Sequence, residues 1–572
     1  MNNELLLGDE AIARGAWEAG CTIAAAYPGT PSTEILEALA NYPEVYCEWS
    51  VNEKVALEVA LGAAIAGVRS LAAMKHVGLN VAADPLFSAA YIGVNAGLVI
   101  VTADDPGLHS SQNEQDNRFY GLAAKLPVLC PADSQEAKEF TKLAFDLSEQ
   151  FDIPVLIRLT TRVAHSSSVV TLDKQLEAAP RGYEKQLSKT TLLPLFARVR
   201  HIDLENRLAR LQQYSEQSPL NRIEWGSLEL GFICDGVAYQ YAHEVFPENS
   251  FLKLGMVHPF PNQMVLNFAQ KVKSLVVIEE GDPFIELQTR ALGLRVKGKN
   301  VLPRWGELSP GIIRRAFTEN VKKPLPEENL PNRPPALCPG CPHLGLFFAL
   351  HKQETIIAGD IGCYTLGALP PHSAMDTCID MGASVTFAHG VDKALGTSDP
   401  RPRIAILGDS TFFHSGITGL INTAYNDSNV ITIIADNRTT GMTGHQDHPG
   451  TGKTLKGKQT KPIDLELLCR ACGINHVVHV DPYHPRETKK TISNILKENK
   501  KAVIISRRPC VLLTGKLDEP KIVDAEKCTG CRSCLALGCP AIFFVDNKAF
   551  IAATRCIGCG MCVEICPREV IG

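Results

Sequence analysis

RIAILGDSTFFHSGITGLINTAYNDSNVITIIADNRT, residues 403–439, decides the fold of the region around it. Two short apolar runs, Ile404–Leu407 and Val430–Ala435, read as buried strands, and the stretch between them reads as a helix. Strand, helix, strand is a parallel crossover, so the two strands should be neighbours in an α/β sheet. The first strand ends in Gly408-Asp409 and the second in Asp436-Asn437. Gly408 lets a ligand approach the backbone, and the helix N-terminus after it offers N–H groups to an anion. Ligands in open parallel sheets collect at the carboxyl edge of the strands. Asp409 and Asn437 therefore come to one edge, where they can bind a hard cation that bridges to phosphates, as magnesium prefers.

The same alternation extends outward. A third α/β unit fills about 338–515 around this stretch. Before it, VKKPLPEENLPNRPPALCPG is proline-rich and marks a boundary near 320–337. Residues 226–325 form another α/β unit, with LELGFICDG and SLVVIEEGD as strands and QYAHEVF as a helix. Residues 171–225 are poor in apolar periodicity and read as a connector. Residues 1–170 alternate again: ELLLGDEAIARGAWEAG and EKVALEVALGAAIAG are expected helices, while CTIAAAYPGTPS, LVIVTADDPG and IPVLIRLT are expected strands running into turns.

The tail, 520–572, is different in kind. Cys528, Cys531, Cys534 and Cys539 precede Pro540, and Cys556, Cys559, Cys562 and Cys566 precede Pro567. The second run has the C-x2-C-x2-C-x3-C-P spacing of bacterial ferredoxins, and the first has one extra residue before its last cysteine. In two-cluster ferredoxins the fourth cysteine of each run ligates the other cluster. Cys528, Cys531, Cys534 and Cys566 should therefore hold one [4Fe–4S] cluster, and Cys556, Cys559, Cys562 and Cys539 the other. Zinc sites use paired C-x2-C rather than triplets, and disulfides do not suit a chain with so many thiols and no export signal.

Composition narrows the rest. The 45% hydrophobic and 21% charged content is that of a globular protein, and a net charge of −5 without basic runs argues against nucleic acid as a partner. The N-terminus has no secretory pattern. The apolar stretch Leu86–Ala103 is broken by Ser88, Tyr91 and Asn95, so it reads as a buried helix leading into a strand, not a membrane span. A cytoplasmic protein is expected.

Gly408-Asp409, the following helix and Asn437 resemble the thiamine diphosphate motif, in which the Asp, the Asn and a nearby backbone carbonyl, here Thr439, hold magnesium. Ser410 stands where that motif often has a second glycine. In thiamine enzymes a Glu on a second domain bonds the aminopyrimidine ring. By resemblance VNEKVALEVALGAAIAG supplies it as Glu53, with Glu58 on the same helix as its competitor.

Together with AYPGTPSTEI, HSSQNEQDNR, CPGCPH, DIGCYTLG and MGASVTFAHG, these motifs make nearly the whole chain resemble the 2-oxoacid:ferredoxin oxidoreductases. The likeness is greatest to the alpha subunits that act on indolepyruvate. The resemblance implies two thiamine-diphosphate-type parallel-sheet domains: an aminopyrimidine domain (1–170) and a diphosphate domain (338–515). Between them it implies a domain of the transketolase C-terminal type (226–325), and after them a small two-cluster ferredoxin-like α+β domain (520–572). The implied reaction is oxidative decarboxylation of an arylpyruvate with coenzyme A to an aryl-acetyl-CoA and carbon dioxide. Electrons pass through two [4Fe–4S] clusters to ferredoxin. A smaller beta subunit, in an αβ or α2β2 assembly, is implied as partner. Thr30 matches a substrate-bonding Thr, and Lys75 and His76 are cationic candidates near a substrate carboxylate. Cys338, Cys341 and Cys363 match three cysteines that hold a further cluster in related pyruvate enzymes; Cys378, Cys469, Cys472 and Cys510 are the possible fourth donors. The alternatives are another 2-oxoacid as substrate (pyruvate, 2-oxoglutarate or a branched-chain acid), an electron-transfer subunit with an inactive thiamine fold, or a non-oxidative decarboxylase.

Overall fold

The computed structural model describes residues 2–317, 334–515 and 517–572, which form two compact units, Met1–Asn329 and Leu330–Gly572. Most of the proline-rich boundary expected near 320–337 lies outside the described residues.

In the first unit six parallel strands lie in the order Val128–Leu129, Val155–Thr160, Leu98–Asp104, Ser70–Lys75, Ile23–Ala26 and Tyr46–Trp49. The central strands are buried along their whole length, which is why LVIVTAD and VLIRLT carry apolar residues without alternation. The helical expectation for ELLLGDEAIARGAWEAG fails at its start. Asn2–Leu7 is a strand paired antiparallel with Ser167–Leu172, and the helix spans Gly8–Glu18. A partner strand so distant in sequence leaves no local signal, and pairing overrides local helix preference. The stretch read as a connector contains a 22-residue helix, Pro194–Ser215, that buries only Leu204, Arg207, Leu211 and Ser215. With an arginine in so narrow a stripe, its apolar periodicity is hidden.

The region after 220 builds a four-stranded sheet in the order Ser274–Ile278, Ser227–Asp235, Asn249–Leu254, Arg222–Glu224. It also lends the strand Met256–His258 to the edge of the first sheet, antiparallel to Val128–Leu129. Fully buried Arg118 ties the two sheets together. Its Nη1 donates to Glu279 at 2.8 Å and to Asp235 at 3.1 Å, and its Nε to Asp116 at 2.9 Å. Removing one partner of such a network leaves a buried charge, at a cost of about 3–5 kcal/mol.

The second unit is a six-stranded parallel sheet in the order Thr377–Cys378, Ile356–Gly359, Arg403–Gly408, Ile431–Asp436, Ala502–Arg507, Val477–Val480. The cysteine tail adds the hairpin Ile542–Val545 and Lys548–Ile551 and the short helix Met561–Ile565. The tail has no separate core. Leu537, Ile542, Ile551, Met561, Ile565 and Ile571 pack into the same cluster as Leu344, Phe347, Ile406 and Ile433 of the sheet domain.

Candidate active site and cysteine centres

Arg403–Gly408 and Ile431–Asp436 are adjacent parallel strands, with Gly408 opposite Ala435. Asp409 and Asn437 thus leave the sheet side by side, as the strand–helix–strand reading expects. Gly408 has φ −80°, an ordinary conformation. Its lack of a side chain matters for a different reason: a Cβ there would lie 2.8 Å from the Tyr364 ring. Ser410, at the second-glycine position, sits inside the first helical turn and its Oγ accepts from Thr440 at 2.9 Å. The following helix takes a π turn over Phe412–Gly416 before Ile417–Tyr425, a distortion that recurs at functional sites.

Asp409 is buried. Its Oδ2 accepts from the Arg438 N–H at 2.8 Å and bonds His448 Nε2 at 3.0 Å, and its Oδ1 accepts from the Ser410 N–H at 3.0 Å. Burial alone would raise this carboxyl, but His448 and these bonds hold it below the usual carboxylate value. Asn437 Oδ1 accepts from the Thr439 N–H at 3.1 Å. One carboxylate oxygen, one amide oxygen and the Thr439 carbonyl make a hard-oxygen set of the kind magnesium takes, so the residues present fit the ion. Beside them, burial and then the Asp409 charge raise the Asp436 carboxyl to about 6. Complete burial drives His343 down to about 4, which keeps a neutral imidazole near Asp409.

The tail cysteines fall into two cavities. Cys528, Cys531, Cys534 and Cys566 line one, and Cys539, Cys556, Cys559 and Cys562 line another. This is the crossed grouping that the spacing predicts. The first cavity is the more open to solvent, with Cys531 exposed, whereas no cysteine of the second is. Four thiols around an apolar pocket are a donor set suited to an iron–sulfur cubane.

The wall of the second cavity also contains Pro339 and Gly340, the residues between Cys338 and Cys341. Tyr483 donates from its hydroxyl to the Gly340 carbonyl at 2.7 Å. Cys338, Cys341 and Cys363 lie close enough to raise one another's thiols, and Cys510 joins them. Burial and these neighbours push Cys363 to about 11. The Cys510 N–H donates to the Asn437 carbonyl at 2.9 Å, so this quartet adjoins the oxygen donors directly. Of the other possible fourth donors, Cys469 and Cys472 pack in a separate core with Phe412 and Leu465, and exposed Cys378 donates to the Asp360 carbonyl. Cys510 was findable from sequence: it follows the strand Ala502–Arg507 and so shares the carboxyl edge with Asp409 and Asn437. His448 on Asp409 carries no such signal. Neither does Asp360, which accepts from the Ile361, Gly382 and Ser384 N–H groups and so fixes the loop bearing Cys363.

In the first unit, Glu53 opens the helix Glu53–Ile65, behind Asn52, whose side chain caps the Val55 N–H. Glu53 is buried, and a Cβ on Gly78 would come within 2.6 Å of its Oε1. Its competitor Glu58 is half-exposed and pairs with Lys54 one turn away. Lys75 Nζ donates to the Ser110 carbonyl at 3.0 Å, and burial lowers its ammonium despite Asp105 and Glu53 nearby. His76 bonds the Asn113 carbonyl at 3.1 Å, and the Thr30 carbonyl accepts from Ser110 Oγ at 3.3 Å. Thr30 and Lys75 are thus joined through Ser110, while Glu53 lies behind them against Gly78.

Three family models match parts of the chain. Residues 14–210 match the family model described as pyruvate flavodoxin/ferredoxin oxidoreductase, thiamine diphosphate-binding, and residues 360–506 match the C-terminal thiamine pyrophosphate-binding domain of thiamine pyrophosphate enzymes. Residues 520–567 match a 4Fe-4S dicluster domain. The chain is 43% identical to the indolepyruvate oxidoreductase subunit IorA of Archaeoglobus fulgidus, over 99% of this chain and 97% of that protein. It is 41% identical to the subunit of the same name from Methanothermobacter thermautotrophicus (99% and 96%) and 39% identical to that of Pyrococcus horikoshii (98% and 96%).

Proposed function

Because this chain belongs to the family of indolepyruvate oxidoreductase IorA subunits, we propose a division of labour among its residues for that family's reaction. The protein is a thiamine-diphosphate-dependent oxidoreductase that oxidatively decarboxylates arylpyruvates and passes the electrons to iron–sulfur clusters. It acts with a partner subunit, as the subunit naming of its relatives implies. The finer assignments are coenzyme A as acyl acceptor, a smaller beta subunit in an αβ or α2β2 assembly, ferredoxin as the electron acceptor of this protein, magnesium at the diphosphate and a cytoplasmic location. Among the described residues no helix is long and apolar enough to cross a membrane.

One observation carries the reading. The oxygen donors Asp409 and Asn437 and both four-cysteine cavities are built on a single hydrophobic core. A decarboxylase without an oxidative step has no use for that arrangement, and an electron-transfer subunit has none for the oxygen donors. Thiamine diphosphate supplies the electron sink for decarboxylation, and the clusters accept electrons singly. Asp409, Asn437 and the Thr439 carbonyl hold the magnesium, with His448 and the Arg438 N–H fixing the Asp409 carboxylate. Glu53 bonds the aminopyrimidine ring and controls its protonation. Thr30 contacts substrate, with Lys75 near the carboxylate. The quartet Cys338, Cys341, Cys363 and Cys510 would hold a third cluster, and the two four-cysteine sites of the tail would supply further one-electron acceptors.

The test is anaerobic. The chain and its partner are assayed with coenzyme A and a viologen dye against indolepyruvate, phenylpyruvate, pyruvate, 2-oxoglutarate and a branched-chain 2-oxoacid. Dye reduction should follow the arylpyruvates; a clear preference for pyruvate would overturn the substrate assignment. Iron analysis of Cys510→Ser beside Cys469→Ser tests the quartet, since only the former should lower iron per chain.

A further inference from the structure

Outside these sites, the first unit contains a carboxylate that nothing in the fold satisfies. Asp9 is 0% exposed, and neither Oδ1 nor Oδ2 has a hydrogen-bond donor. Among the described residues it is the one buried carboxylate with both oxygens in this state. Buried Asp360, by contrast, accepts from three backbone N–H groups. A bare buried carboxylate is too costly to persist, so a cation or a proton must meet it.

The surroundings favour the cation. Glu34 Oε2 is also buried without a donor, and His165 Nε2 stands 3.5 Å from it. One ligand atom from each of Asp9, Glu34 and His165 lies within 4.8 Å of the others. At 3.5 Å the His165–Glu34 pair is at the limit for a hydrogen bond. It matches the edge of a tetrahedron around an ion with metal–ligand bonds of about 2.0–2.2 Å, roughly 3.4 Å. Three separate helices present the groups: Gly8–Glu18, Thr33–Leu39 and Thr161–His165. Gly8 locks the first helix onto the third, because a Cβ there would sit 2.0 Å from the Val163 carbonyl oxygen. Helix packing brings the three groups together, and Glu34 interacts with both of the others.

We propose that Asp9, Glu34 and His165 bind a divalent transition-series cation such as zinc or manganese. Two carboxylates neutralise its charge, and the imidazole selects against magnesium and calcium, which take oxygen. His165 is partly exposed, with 33% of its side chain accessible, so the ion can enter from solvent and keep water at its open position. None of the three residues belongs to the cysteine tail or to the strands that carry Asp409 and Asn437, and the role of the site is to pin the first helix of the unit.

Zinc is the probe. The full chain, purified anaerobically with its clusters and thiamine diphosphate in place, is dialysed against buffered zinc and its metals are counted. Wild type should retain about one zinc per chain more than His165→Ala or Asp9→Asn, at equal iron content. Its thermal midpoint should rise with zinc and fall back on chelation, while the variants stay still. His165→Ala lies at the solvent edge and leaves the helix packing untouched, so it separates lost binding from lost folding. Equal zinc in all three proteins would overturn the proposal. So would a wild-type midpoint indifferent to zinc, or an Asp9→Asn protein more stable than wild type with or without metal, the outcome expected if Asp9 and Glu34 merely share a proton.

Discussion

Gly345→Ala tests how closely the helix after Cys341 is packed against its neighbours, because two physical effects predict opposite signs. Gly345 lies inside the helix Pro342–Leu350, which follows Cys341. Replacing an interior helical glycine by alanine normally stabilises by about 0.5–1 kcal/mol. Here a Cβ would lie 1.8 Å from the Pro482 carbonyl oxygen and 3.3 Å from the Met561 sulfur of the tail. Carbon–oxygen contacts need about 3.3 Å, so the helix and the 481–484 turn must part by roughly 1.5 Å. That turn is held by the bond from His484 N–H to the Asp481 carbonyl at 2.9 Å and by Tyr483 on Gly340 at 2.7 Å, so it cannot simply yield. Overpacking of this kind costs about 1–3 kcal/mol, and an unyielding backbone oxygen puts the site at the upper end. For a unit of this size 1 kcal/mol moves the midpoint by about 2–4 °C, so a drop of about 6–12 °C is expected. The internal control is Gly390→Ala in the helix Ala383–Leu395, where the new methyl meets nothing within 4 Å. That variant should melt about 1–4 °C higher. The assay is an anaerobic thermal melt with iron and thiamine diphosphate counted in the same samples, and Gly345→Ala should lose iron on standing before it loses cofactor. A Gly345→Ala protein that melts at or above wild type would refute the close packing of this helix against the 481–484 turn.

Asp409→Asn presents an amide to the Arg438 N–H and His448 in place of a carboxylate oxygen and removes a charged metal ligand. With charged hydrogen bonds contributing about 1.5–3 kcal/mol, thiamine diphosphate retention should weaken at least about tenfold by equilibrium dialysis, with iron unchanged. Glu53→Gln should keep bound cofactor but lower turnover by on the order of 10²-fold or more, whereas Glu58→Gln, on the exposed face beside Lys54, should turn over as wild type does. Burial raises Glu280 from 4.5 to about 7, so the folded state holds its proton more tightly than the unfolded chain. Stability from this group is therefore full below pH 4.5, falls as pH rises to 7 and is flat above. Glu280→Gln should remove part of that decline and stabilise the protein at pH 8 by about 1–3 kcal/mol, as read by denaturant unfolding.

What the sequence determined by itself is whatever short-range physics writes into a contiguous run. The buried strands were visible because a parallel strand covered on both faces must be apolar throughout, as RIAILG and ITIIAD are. Asp409 and Asn437 could be placed together because every strand of a parallel crossover ends at the same edge. The crossed grouping of the tail cysteines followed from a geometric limit, since a C-x2-C-x2-C run cannot reach all four corners of one cube. The tertiary structure decided what depends on partners distant in the chain. Asn2–Leu7 is a strand only because Ser167–Leu172 lies beside it, and Met256–His258 extends a sheet begun more than a hundred residues earlier. His448 reaches Asp409 through a loop whose course no local pattern records. Asp9 reads as an ordinary helix-opening acid until packing brings Glu34 and His165 to face it. Periodicity and spacing constrain a residue's own backbone and immediate neighbours. The choice among distant partners is made by the free energy of the whole core, which no single stretch contains.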